Sequence, residues 1–163
     1  MTEFERFDRN ARSRGVLIDT NLFVLFIVGS VQRDRISSFK RTQAYTPADW
    51  DLLTGLIEQI PRRYVVAHVL AEVSSLTDMK GSDLATARQF LRRTISLMEE
   101  VPVPSIAACE SPIDPQLGLT DAAISYAVRQ CGCSVLTNDS ALYLALSREG
   151  ASVVRFDDLR ELL

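Results

Sequence analysis

Short apolar runs without a polar break alternate along this chain with longer segments whose apolar residues recur every three to four positions. Gly15-Val16-Leu17-Ile18-Asp19 is the clearest of the short runs. A strand with no polar face must be covered on both sides, which is the situation of a central strand in a parallel sheet. Tyr64-Val65-Val66-Ala67, Ser134 to Leu136 and Ser152 to Phe156 read the same way, and Val101 to Ile106 reads as a third strand held to the edge by Pro102 and Pro104. Between them lie the helices. Asn21 to Val28 is apolar throughout. Thr46-Pro47-Ala48-Asp49 opens a helix with an N-cap, a proline at the first position and a capping-box acid, followed by Trp50, Leu53, Leu56, Ile57 and Ile60. Further helices are expected at His68 to Leu76, Asp83 to Glu100, Thr120 (as the cap) to Cys131 with Gly132 closing it, Ser140 to Glu149, and in the tail. The alternation predicts an α/β fold: a central, mainly parallel sheet between two helical layers, a three-layer α/β/α sandwich.

At 163 residues the chain reads as one domain, 1–163, with 1–14 as an N-terminal extension and 29–46 as a polar, basic segment without an assigned element. The longest apolar run, Leu22 to Val28, is far short of the roughly 20 residues a membrane helix needs, so no membrane partner is expected. Glu3, Glu5 and Asp8 leave no signal-peptide core, and three cysteines are an odd number; both point to a cytoplasmic, reducing setting. The net charge of −3 argues against a phosphate-binding surface spread over the whole molecule.

Four acids stand out by position. Asp19 ends the first strand, Asp139 follows the strand Val135-Leu136-Thr137, Asp121 lies in the first turn of a helix, and Glu72 sits beside the apolar residues Val69, Leu70, Val73 and Leu76. Each has a plain structural reading: Asp19 and Asp139 as helix N-caps, Asp121 as a favourable charge at a helix start. Taken together they say more. Sites in parallel α/β sheets form outside the carboxyl ends of the strands, where these acids are delivered. Carboxylates gathered there repel one another unless a cation neutralises them, and hard oxygen ligands suit Mg²⁺ or Mn²⁺.

Gly15-Val-Leu-Ile-Asp19-Thr20-Asn21, Val69-Leu-Ala-Glu72-Val73, Gly118-Leu-Thr-Asp121-Ala122-Ala123-Ile124 and Val135-Leu-Thr-Asn-Asp139-Ser140 resemble, in order, the four motifs of the PIN domain family. The resemblance runs from about residue 15 to residue 156. It implies a metal-dependent ribonuclease with Asp19, Glu72, Asp121 and Asp139 as the catalytic, Mg²⁺- or Mn²⁺-binding acids. Thr20, Asn21, Thr137 and Asn138 become polar support around them. RNA is then the substrate, a homodimer is expected, and a toxin-type member would have an antitoxin partner. The segment 29–46 is longer than in compact toxins of the family. Rival readings are a non-catalytic RNA- or partner-binding module on the same fold, and a phosphatase with Asp19 as nucleophile. The second lacks an acid two positions after Asp19.

His68 lies four residues before Glu72, and Lys40 and Arg41 follow the first apolar helix; these are the candidate substrate contacts. Leu22, Phe23, Leu25, Phe26 and Ile27 read as core, with a homodimer face as the alternative. Cys131-Gly132-Cys133 resembles half a metal clip, but the count falls short of a zinc site and it reads as packing around a helix end.

Overall fold

The computed structural model describes residues 1–162 and places five strands in one sheet: β1 (Val16–Ile18), β2 (Arg63–Val65), β3 (Glu99–Glu100), β4 (Ser134–Thr137) and β5 (Val153–Arg155). Their order is β3-β2-β1-β4-β5, and every neighbouring pair is parallel. β1 and β4 are buried at every position, as strands covered on both faces must be. The flanking helices are α1 (Glu3–Arg14), α2 (Thr20–Val31), α3 (Pro47–Glu58), α4 (Ala67–Leu76), α5 (Ser82–Ile95), α6 (Ser105–Cys109), α7 (Leu119–Cys131), α8 (Ser140–Arg148) and α9 (Phe156–Arg160). The three-layer α/β/α sandwich is therefore the fold. Among the described residues, no helix is long and apolar enough to cross a membrane.

Strand order decides where a site can form. From β1 the chain steps outward through β2 to β3, then crosses back so that β4 pairs with the other side of β1. The connections leaving β1 and β4 thus diverge, and a crevice opens at their carboxyl ends.

Several elements depart from the sequence reading. The N-terminal extension is a helix: Thr2 and Glu5 close a capping box on α1, which buries Phe7 and Ala11 and lies across β4 and β5. The Asp83–Glu100 helix stops at Ile95, and the third strand is Glu99–Glu100 instead of Val101 to Ile106. The Val101 N–H still reaches the Val65 carbonyl at 2.8 Å, but Pro102 and Pro104 have no N–H to extend the ladder. Gly118, not Thr120, caps α7.

α2 is a core helix. Leu22, Phe23, Leu25 and Ile27 are fully buried and Phe26 is half-buried, as the core reading expects. The segment 29–46 is tucked against the body by Ile36, Thr42 and Tyr45, with the Thr42 hydroxyl donating to the Ile36 carbonyl at 2.7 Å. Gly29 is needed here, because a Cβ on it would stand 2.2 Å from the Trp50 ring. That close approach lets the indole N–H donate to the Phe26 carbonyl at 3.0 Å.

Candidate active site

Asp19 caps α2 and is 5% exposed. One carboxylate oxygen accepts the Thr20 N–H and the other the Thr137 hydroxyl, both at 2.6 Å. Burial raises its pKa; these two hydrogen bonds work against the rise, and Asp139 and Glu72 add to it. Asp139 caps α8, accepting the N–H groups of Ala141 (2.8 Å) and Leu142 (3.0 Å). Its own N–H donates to the Thr137 hydroxyl at 2.9 Å, so one hydroxyl at the end of β4 ties the two aspartates together.

Glu72 projects from α4 and holds two hydroxyls. Thr20, next to Asp19, donates to one of its oxygens at 3.0 Å, and Thr120, next to Asp121, donates to the other. Asp121 stands in the first turn of α7. Burial first, then the charges of Asp19 and Asp139, push its carboxyl up to about 6. That Asp19, Glu72 and Asp139 all act on Asp121 shows that the four share one field.

These acids line a single cleft of about 490 Å³ together with Thr20, Asn21, Leu76, Leu119 and Thr120. No lysine, arginine or histidine among the described residues lines it. Among the described residues, none of the nine ion pairs involves any of the four acids. Nor is any group of three or more His, Cys, Asp or Glu side chains placed to hold a metal ion. The carboxylates line the wall without converging on one point.

Other expected contacts lie elsewhere. Asn138 faces the opposite way, donating to Tyr45 (3.0 Å) and Asp157 (3.1 Å) and accepting the Asp157 N–H at 2.8 Å; it ties β4 to α9. The His68 Nε2 meets the Ser105 hydroxyl at 2.9 Å, outside the cleft. Lys40 lines a separate cavity with Asp78 and Asp83, pairing with Asp78 at 3.5 Å, and Arg41 is exposed. None of these three residues lines the acid cleft. Thr120 belongs to the site as well, although its sequence position reads as a helix cap. Its position directly before Asp121, as Thr20 directly follows Asp19, is the signal that marks it. Leu76 lies one helical turn from Glu72, and the 45%-exposed Leu119 opens α7; together they form an apolar lip.

Comparison with known proteins adds no anchor: no protein-family model matches the sequence, and no curated protein matches it.

Proposed function

We propose that the chain is a Mg²⁺- or Mn²⁺-dependent ribonuclease of PIN-like design, hydrolysing RNA phosphodiester bonds at the acid cleft. One observation carries the reading: four carboxylates from four elements line one cleft at the sheet's switch point, with no positive side chain among them. The donor set suits a hard divalent cation, being all oxygen and strongly negative, although the acids do not converge in advance. Asp19 and Asp121 would hold the ion most directly, with Asp139 and Glu72 completing the acidic wall. A bound ion would activate water and offset charge on the phosphate.

The protein's own residues prepare for that. Thr137 and the Thr20 N–H fix the Asp19 carboxylate, and the helix start at Ala141 fixes Asp139. Asp121, half-protonated near pH 6, would have to be ionised to hold a cation. RNA, a second copy of the chain and, for a toxin-type enzyme, an antitoxin are the partners this reading implies.

The test is thermal unfolding of wild type, Asp19→Asn and Asp121→Asn with and without Mn²⁺, alongside cleavage of single-stranded RNA. Wild type should gain about 5–10 °C at a hundredfold excess over the dissociation constant. The variants should lose that gain and cut at least about a hundredfold more slowly. An equal shift in all three proteins, or none, overturns the metal site and leaves the non-catalytic binding module. Release of phosphate from a small monoester instead of RNA cleavage would favour the phosphatase reading.

A further inference from the structure

The end of α7 brings together two thiols that the acid cleft does not use. Cys131 is the last residue of α7, and Gly132 follows in the left-handed region (φ 65°, ψ 19°) with its N–H on the Val128 carbonyl at 2.8 Å. Cys133 follows, directly before the first residue of β4, Ser134. One left-handed residue turns the chain back between the two cysteines, so that they flank a single tight turn. Two Cα atoms on either side of such a turn fall within the roughly 4.4–6.8 Å that a disulfide spans.

The surroundings suit thiolate chemistry. A Cβ at position 132 would stand 2.9 Å from the Arg14 guanidinium, so Arg14 lies across the turn. Arg6, Arg14 and Arg129 line an open cavity of about 440 Å³ that Cys133 also lines, and the Arg62 guanidinium favours charge on Cys131. The neighbouring Cys133 thiol, supported by Arg62, brings the half-buried Cys131 thiol down to about 7. The Cys131 neighbour and burial push the 1%-exposed Cys133 up. Packing around a helix end accounts for a buried Cys133. It gives no reason for a second, half-buried thiol across the one-residue turn that Arg14 covers.

The geometry points to Cys131 and Cys133 as a reversible dithiol–disulfide pair, oxidised by a small hydroperoxide, with Cys131 attacking and Cys133 resolving. The Cys131 thiolate attacks one peroxide oxygen, the O–O bond breaks, and the departing hydroxide leaves as water after taking a proton. Cys131 is then a sulfenic acid. The Cys133 sulfur attacks the Cys131 sulfur and expels hydroxide, which takes the Cys133 proton as a second water. Two electrons leave the thiol pair and reduce the peroxide. A ring closed over one intervening residue is strained, which makes such a disulfide easily reduced. Cys109, exposed at the end of α6, serves as an internal control.

Intact protein treated with hydrogen peroxide and digested with trypsin tests this, because both cysteines lie on the peptide Gln130–Arg148. The peptide should become lighter by about 2 Da and recover with dithiothreitol. Cys133→Ser should stop at a sulfenic acid on Cys131 that dimedone traps, and Cys131→Ser should leave Cys133 unmodified. Oxidation confined to Cys109, or a peptide that only gains oxygen and never loses two hydrogens, overturns the assignment.

Discussion

The two ends of β4 carry opposite charge. Its C-terminal end delivers Asp139 to a cleft that, among the described residues, four acids and no cationic side chain line, with Thr137 behind it. Its N-terminal end faces the cavity of Arg6, Arg14 and Arg129, whose one acid, Glu149, is already paired with Arg129 at 3.1 Å. Parallel topology explains the split. α2 and α8 start directly after β1 and β4, at the same edge as the start of α7. α1, α7 and α8 finish beside the arginines. A helix start favours an acid and a helix end a cation, by about 0.3–1 kcal/mol each. Capping and site-building are thus one arrangement: each aspartate is favourable at its own helix, and a cost arises where four like charges meet. Asp19 and Asp121 are both raised, by burial first and then by their acidic neighbours.

The largest expected effect is at Thr137, whose hydroxyl is the bond that makes the acid end tolerable. Thr137→Val leaves one oxygen of the buried Asp19 carboxylate and the Asp139 N–H without their partner, which should cost about 2–3 kcal/mol by urea unfolding. Ser134→Ala, at the other end of the strand, removes a hydroxyl that meets Asn10, Ser152 and the Phe7 carbonyl but no charge. It should cost about 1 kcal/mol. Equal losses at the two ends would break the comparison.

Next comes Thr120. If Glu72 acts by strapping Thr20 and Thr120, Thr120→Val should weaken Mn²⁺ binding about tenfold, and Thr120→Ser should restore it. If Glu72 instead meets the ion directly, the hydroxyl competes with it, and its loss leaves binding unchanged or tighter. The sign of the change in a Mn²⁺ titration decides between them.

Much of this was legible in the sequence for physical reasons. β1 and β4 announce themselves because burial on both faces demands an unbroken apolar run, and Asp19 and Asp139 because a cap must sit where the strand gives way to a helix. Gly132 and the Thr46 capping box fell where local backbone chemistry alone fixes them. The failures are places where a distant partner decides. Thr120 has cap chemistry, yet Glu72, forty-eight positions away, takes its hydroxyl. Asn138 belongs to a motif, yet Tyr45 and Asp157 claim it. Glu99–Glu100 carries no apolar signal, because β3 is an exposed edge strand held by its backbone. The α1 helix was readable from Thr2 and Glu5, but its few apolar residues gave the pattern little weight.

The smallest effects give the sharpest test, because they differ in sign. Asp121 rises from an ordinary 3.8 to about 6 on folding. Between those values the native state holds more protons than the unfolded chain, so without metal its stability must fall as pH rises from about 4 to about 6. Partial solvent access reduces the effect to the order of 1 kcal/mol. Asp121→Asn should flatten that fall and make the metal-free protein more stable at pH 7, even after losing a few tenths of a kcal/mol of helix-start charge. Glu149→Gln removes an acid from the arginine end, where it pairs with Arg129 and accepts from Ser125. It should destabilise by about 0.5 kcal/mol. An acid removed from one end of the sheet stabilises, and an acid removed from the other destabilises. Melting curves of the two variants beside wild type at pH 7 without metal, both moving in the same direction, would show that the charge asymmetry has no energetic weight.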